Sequence, residues 1–219
     1  MGPSGTGPSS GAGQLFRRIG RSGWLVLAGS VPSLAGGSAW MDRLLPRMDL
    51  GRAVVWLAAD PEGTQPTKFL EDIEDLLGAP VDRQSPAEVG WETAGLLLIT
   101  DPSPVSMLPA LRNRLLTCLE GDGIVMAVGQ PATGFGGAIR SPLGGAPDEG
   151  LGWLPGSVVL PEGEELAEDG WRRWLQSREK RFAIRLPADS MLALGPAGEV
   201  EAWGGAQPGV ILGSAWRHV

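Results

Sequence analysis

Five short apolar runs, separated by amphipathic or turn-rich segments, constrain the fold of this 219-residue chain more than any other feature. Each run is apolar almost throughout, as expected of strands in a parallel sheet with helices on both faces. Alternation of such strands with helical patterns is typical of βαβ units. The sequence therefore predicts a three-layer α/β/α fold with a mainly parallel sheet. The predicted strands are residues 24–29, 53–59, 95–100, 123–129 and 157–161.

The segments between these runs carry helix patterns. In residues 67–78, apolar side chains recur at three- and four-residue spacing opposite an acidic face, and Gly78 suits a left-handed helix end. Further along, we expect a long loop-rich stretch after residue 136 and a C-terminal hairpin whose turn is "GPAG". The other predicted helices are residues 38–48 (interrupted by Pro46), 106–121 and 164–180.

The first 22 residues are rich in glycine, proline and serine, which predicts a flexible tail ahead of one α/β domain at 23–219. Two interpretations exist for the arginine pair followed by "GWLVLAGS": a secretory or twin-arginine signal, or a basic linker before the first core strand. We favour the core strand. Because no run approaches the eighteen apolar residues of a membrane helix, we expect a cytoplasmic protein without a membrane partner.

Charge and residue counts exclude several classes of site. A net charge of −7 offers no basic surface to a phosphate backbone, so we expect no nucleic-acid partner. Cys118 is the single cysteine, which excludes an intrachain disulfide, and its helical context favours a buried apolar role over a catalytic thiol. The single histidine, His218, lies next to the C-terminus. No glycine-rich segment has a phosphate-loop or Rossmann context, and we expect no cofactor and no metal.

Several segments, in order, resemble one known family. They are "GWLVLAGS", "GRAVVWLAADPEGTQPTKFLEDIEDLLGA", "AGLLLITDPSPVSMLPAL", "GDGIVMAVGQPATGFGG", "GLGWLPGSVVLP" and "FAIRLPADSMLALGPAGEVEAWGG". Together they resemble the cyanophycinase and dipeptidase E group of serine peptidases over about residues 23–213. This resemblance implies a class I glutamine amidotransferase-like (flavodoxin-like) fold and a strand-to-helix elbow that carries a nucleophilic serine.

The chain departs from that family where its chemistry lies. By the resemblance, Pro131 occupies the position of the nucleophile, and proline has neither a nucleophilic atom nor a backbone N–H. The family's Gly-Gly-Asp-Gln corresponds to residues 101–104, which read Asp-Pro-Ser-Pro, and no histidine follows "GLGWLPGSVVL". Thr133 is the remaining hydroxyl near the elbow, two positions away. We therefore expect a member of this family that has lost hydrolysis, with no catalytic residues.

Three functions follow as hypotheses. The first is a module that binds a small polar ligand or a protein, with Asp101, Ser103, Gln130 and Thr133 on the rim of a crevice at the carboxyl ends of the strands. The second is an active hydrolase or amidotransferase-like enzyme with a relocated site. Its carboxylates would come from loops that can face the crevice, namely Asp60, Glu62, Asp101, Asp148 and Glu149.

The third hypothesis is a structural subunit, and a homodimer is one arrangement it allows. Trp171 and Trp174 lie three residues apart on a charged helical segment, so they share a face that could contact a partner. The alternative is that both rings pack on their own domain. We expect Trp24, Trp56 and Trp153 to lie in the core, because they sit in apolar runs.

Overall fold

A computed structural model of the protein describes residues 22–32, 39–58, 68–100, 105–141, 146–164, 169–177 and 179–218. Within these residues the chain forms twelve strands in two sheets, together with five α-helices. This confirms the α/β class. Except for Ser22, the predicted N-terminal tail lies outside the described residues.

The first sheet has seven strands in the order β11-β10-β1-β5-β4-β2-β3. The run from β1 to β3 is parallel throughout, whereas β10 is antiparallel to both β1 and β11. Four of the predicted apolar runs form its centre, as β1, β2, β4 and β5. Its strands are β1 (Trp24–Ala28), β2 (Ala53–Leu57), β3 (Val81–Gln84), β4 (Ala94–Ile99), β5 (Ile124–Val128), β10 (Ser190–Leu194) and β11 (Val200–Gly204).

Helices cover the first sheet as the apolar patterns predicted. The helices α1 (Ala39–Leu44) and α2 (Lys68–Leu77) bury apolar residues in one core cluster with β1, β2, β4 and β5. On the opposite face, α3 (Leu108–Glu120) packs in a second cluster with the same strands. The helix α2 ends before Gly78, whose φ of +60° confirms the predicted left-handed end.

The loop-rich stretch expected after residue 136 instead contributes to a second sheet, so that prediction was wrong. This sheet has five strands in the order β12-β9-β8-β6-β7. The neighbours β6-β8 and β8-β9 are parallel, and the two edge pairs are antiparallel. Its strands are β6 (Gly136–Ile139), β7 (Asp148–Glu149), β8 (Leu154–Leu160), β9 (Phe182–Arg185) and β12 (Gly209–Leu212).

The second sheet also replaces part of the predicted outer helix layer. From its strands, Val159, Phe182 and Ile184 join the core cluster that α3 forms with the first sheet. On its other face, Val158, Leu160 and Ala183 pack against a further helix, α5 (Asp169–Leu175). The face of the first sheet that carries α3 is therefore covered partly by a helix and partly by a second sheet.

The C-terminal part of the chain contains the predicted hairpin. The strands β10 and β11 pair antiparallel around the "GPAG" turn, where the Gly195 N–H donates to the Glu199 carbonyl oxygen at 2.9 Å. The helix predicted at 164–180 is described only at 169–175, and the chain beyond it forms a turn. None of the described helices is long and apolar enough to cross a membrane.

Candidate functional site

A sharp bend joins the central strand β5 to a one-turn helix, α4 (Gln130–Thr133). The residue at the bend is Gly129, with φ of 69° and ψ of −135°. Strand-to-helix elbows place their nucleophile on such a strained residue, and glycine adopts this backbone at the lowest cost. The bend is thus at Gly129. The resemblance placed the position of the nucleophile two residues later, at Pro131.

Local sequence explains the turn into α4. The Gly129 N–H extends the ladder to β1 by donating to the Ala28 carbonyl oxygen at 3.0 Å, and the Ala132 N–H then donates to the Gly129 carbonyl oxygen at 3.0 Å. Pro131 lies in the first turn of α4, where a missing N–H is tolerated, and it is buried. At both candidate positions, Gly129 and Pro131, the side chain therefore offers no nucleophilic atom.

The hydroxyl of Thr133, which lies on α4 just after the bend, is held within its own helical turn. Its Oγ1 donates to the Gln130 carbonyl oxygen at 2.8 Å. This local bond is typical of threonine in a short helix. It directs the hydroxyl proton to the backbone rather than to a side-chain base.

A cavity of about 450 Å³ lies beside α4, against the carboxyl-terminal halves of β6 and β8 and the helix α5. This volume lies in the usual range for small-molecule sites. Most of the lining is apolar, and the polar side chains come from α4, β7 and the loops after β6 and β8. The lining residues are Val105, Gln130, Thr133, Ile139, Arg140, Asp148, Val158, Val159, Leu160, Glu164 and Trp171.

Glu164 is the most enclosed charge in this cavity. Its side chain is 13% exposed, and its Oε1 accepts a hydrogen bond from Gln130 Nε2 at 3.1 Å. The Arg140 guanidinium lies 3.9 Å from the same oxygen, and its side chain is 56% exposed. A carboxylate, a primary amide and a guanidinium therefore converge in the lining of a largely apolar cavity.

The predicted rim residues meet this cavity in part. Gln130 and Thr133 line it, whereas Asp101 and Ser103 lie outside the described residues. Of the carboxylates proposed for a relocated hydrolase site, Asp148 lines the cavity and Glu149 is exposed beside it on β7. Asp60 and Glu62, like Asp101, fall outside the described residues.

The tryptophan pair on α5 faces inward. The rings of Trp171 and Trp174 contact each other edge to face, 6.0 Å apart, which confirms that they share a face. Trp171 is only 4% exposed and packs with Leu160 and Leu175, and the half-buried Trp174 packs against the same cluster. The structure therefore agrees with packing on their own domain, and Trp171 also lines the cavity. Of the tryptophans expected in the core, Trp56 and Trp153 are fully buried and Trp24 is partly buried.

Cys118 is a buried residue, as its helical context predicted. It lies on α3 in the core cluster, and its Sγ is 3.9 Å from the Ala94 carbonyl oxygen. Burial raises the pKa of the Cys118 thiol from its ordinary 9.0 to about 11, against a weaker opposing effect of Arg52. The thiolate needed for nucleophilic attack is therefore scarce near neutral pH.

The single histidine lies at the C-terminal end of the described chain. The backbone of His218 ends a 3-10 turn at Ser214–His218, after the last strand of the second sheet. Over the described ranges, no three His, Cys, Asp or Glu side chains converge as a metal ion would require.

Sequence reasoning missed Glu164 and Arg140 as site residues. Glu164 lies in the acidic run "EGEELAED", which is typical of a solvated surface, and Arg140 follows a stretch predicted to be a loop. Both reach the cavity because β6 and β8 are neighbours in the second sheet. The only local signal was the position of Glu164 just beyond the carboxyl end of a predicted strand.

No known protein-family model matches this chain, and no curated protein matches it in sequence. The family resemblance drawn from its motifs therefore stays a prediction.

Proposed function

We propose that this protein binds a small polar ligand without hydrolysing it, in the cavity beside the bend at Gly129. One observation carries the proposal: a cavity of about 450 Å³ adjoins a strand-to-helix elbow whose bend residue is glycine. The elbow supplies the geometry of a hydrolase site, and the glycine leaves it without an attacking atom. The cavity keeps room and polar groups for a ligand.

We propose that the protein is a degenerate member of the cyanophycinase and dipeptidase E group. It would then have the class I glutamine amidotransferase-like fold of that group. Three features support it: the parallel order β3-β2-β4-β5-β1, the sharp bend directly after β5, and the closing β10-β11 hairpin. In open α/β sheets, ligands bind beyond the carboxyl ends of the strands. The cavity lies at that end of β6 and β8, next to the bend.

Binding is favoured over hydrolysis by the groups around the bend. Serine-type hydrolysis needs a nucleophile within hydrogen-bonding reach of a base. Gly129 and Pro131 carry no such nucleophile, and the Thr133 hydroxyl donates to its own helix. In contrast, the Glu164 carboxylate and the Gln130 amide are already oriented by their mutual hydrogen bond. Such a preformed pair suits recognition, because little side-chain entropy is lost when a ligand arrives.

A fragment screen tests the binding function. We would screen small polar fragments by ligand-observed NMR against the wild type and against Ile139→Trp, which fills the cavity from a half-buried position on β6. We expect fragments that bind the wild type and lose binding to Ile139→Trp. The matched control is Val210→Trp, an apolar-to-Trp change on the exposed strand β12, outside the cavity lining. Fragments that bind all three proteins equally would contradict the proposal.

An activity assay tests the non-catalytic part separately. The protein would be incubated with Asp-containing dipeptides and with β-aspartyl-arginine polymer, and released products would be quantified. We expect no turnover above the buffer rate. Turnover that disappears in Thr133→Val would show that the threonine hydroxyl acts as a nucleophile, and the non-catalytic proposal would be wrong.

A further inference from the structure

The lining of the cavity beside the bend combines apolar side chains with charged ones. Among the described lining residues, six side chains are apolar, and two of the polar ones, Gln130 and Arg140, approach the Glu164 carboxylate. The apolar lining residues are Val105, Ile139, Val158, Val159, Leu160 and Trp171. A ligand that fills this space contacts both kinds of side chain, which favours an apolar body that carries a polar head.

The charged lining residues determine which charge the polar head of a ligand should carry. Among the described residues that line the cavity, Asp148 and Glu164 are carboxylates and Arg140 is the one guanidinium. Arg140 Nη1 lies 3.9 Å from Glu164 Oε1, which makes a loose ion pair without a hydrogen bond, and more than half of the Arg140 side chain is exposed to screening water. Formal charges at neutral pH therefore sum to −1 over the described part of the lining.

Burial makes the Glu164 carboxylate the strongest contact for a cation. Its side chain is 13% exposed, so water screens it less than it screens the exposed Asp148. Gln130 Nε2 donates one hydrogen bond to Oε1, and a carboxylate can accept several. The chain's overall charge of −7 adds a long-range field that attracts cations and repels anions.

Resting on the proposed binding function, we propose that the ligand is a monocationic amphiphile: an organic ammonium whose charged head contacts Glu164 and whose aliphatic or aromatic body packs against the apolar lining residues. Trp171 is one of these residues, and an indole ring attracts a nearby ammonium through its π face. A carboxylate ligand of the same shape is disfavoured, because it would meet Asp148 and Glu164 with a like charge.

Three probes of one shape and different charge test this inference. The dissociation constants of 4-phenylbutylammonium, 4-phenylbutanol and 4-phenylbutyrate would be measured by isothermal titration calorimetry at neutral pH and low salt. We expect the ammonium to bind at least tenfold more tightly than the alcohol, and the carboxylate to bind most weakly. In Glu164→Gln, the preference for the ammonium over the alcohol should fall to less than threefold.

Glu162→Gln provides the matched control, since it removes the same charge two residues away on an exposed side chain outside the cavity lining. It should keep the tenfold preference, which separates a contact with Glu164 from a general loss of negative charge. If the alcohol or the carboxylate binds the wild type as tightly as the ammonium and loses binding in Ile139→Trp, the charge inference is wrong while the binding function stands. If none of the three probes binds at millimolar concentration, the charge inference is overturned, and the fragment screen then decides the binding function on its own.

Discussion

The two sheets differ in how completely their surroundings are packed. The central strands of the first sheet are apolar on both faces, and helices or the second sheet bury both. The second sheet contains glycine and proline in its parallel strands, and it borders a cavity with charged residues in its lining. The first sheet thus supplies rigidity, and the incomplete packing beside the second leaves space for a ligand. The bend at Gly129 joins the two regions.

The largest effect should follow from a cavity made in the first sheet. Leu97 is fully buried in the centre of β4, and Leu97→Ala should lower the free energy of unfolding by about 2–5 kcal/mol. Ile139→Ala on β6 should cost about 1 kcal/mol or less, because Ile139 is half-buried and already borders a cavity. Urea denaturation measures both values. Equal costs at the two sites would contradict the difference in packing.

Stability measured against pH tests how completely water is excluded from the core around Cys118, beside the first sheet. The native pKa of Cys118 is about 11 and its ordinary value is 9.0, so the unfolded chain ionises first as the pH rises. The stability that neutral Cys118 contributes is therefore fully present below pH 9 and is lost as the pH rises towards 11, by an amount on the order of 2–3 kcal/mol. The measurement is the free energy of unfolding of the wild type minus that of Cys118→Ala, at pH 8 and at pH 10.5. A pH-independent difference would show that the thiol is hydrated in the native protein.

The bend between the two regions should tolerate only glycine. Gly129→Ala places a Cβ on a residue with φ of 69° and ψ of −135°, which should cost about 1–3 kcal/mol of stability. The control is Gln130→Ala, one residue further on at a helical position, where we expect a cost below about 1 kcal/mol. Thermal unfolding compares the two variants. A neutral Gly129→Ala would mean that the bend carries no strain.

The smallest predicted loss of stability comes from removing the glutamate charge in two arginine–glutamate pairs, one from each region. In the first region Glu201 binds both Arg47, at 2.9 Å, and Trp203 Nε1, at 2.8 Å, and its side chain is 27% exposed. Near the second sheet, Glu179 binds Arg181 but is 72% exposed. Glu201→Gln should cost about 1–2 kcal/mol, because a partly buried charged hydrogen-bond network is lost.

For the exposed pair, Glu179→Gln should cost less than about 0.5 kcal/mol. Chemical denaturation of both variants in low and high salt measures the contrast. A larger loss for Glu179→Gln than for Glu201→Gln would contradict the difference in burial between the regions.

Sequence patterns predicted the first sheet because each of its central strands is a continuous apolar run, and a buried parallel strand requires that pattern. They did not predict β6, since "GGAI" contains two glycines that are typical of loops. Likewise, the first half of β8 was not predicted, because Pro155 and Gly156 are typical of turns. These segments form strands because neighbouring strands satisfy their backbone groups, which is a tertiary effect that local propensity does not record.

The site residues also divide into those that local sequence predicts and those that only tertiary contacts bring in. Gln130 and Thr133 were predictable because they directly follow a buried strand, and such positions face the crevice of an α/β sheet. Glu164 was not, since it reaches Gln130 across 34 residues of chain through the pairing of β6 with β8. The bend itself was not predictable in position, because the backbone turns at Gly129, the first residue after β5, two residues before the Pro131 that the resemblance singles out.

We propose that the cavity beside Gly129 holds a small ligand at an elbow without a nucleophile. A crystal structure of the protein soaked with 4-phenylbutylammonium tests it most directly. We predict that the ammonium nitrogen lies about 3 Å from a Glu164 carboxylate oxygen, with the phenyl group against Ile139 and Trp171 and Gly129 at positive φ. A closed cavity would contradict ligand binding at this site, whereas an open cavity with the probe elsewhere or absent would contradict the ammonium inference alone.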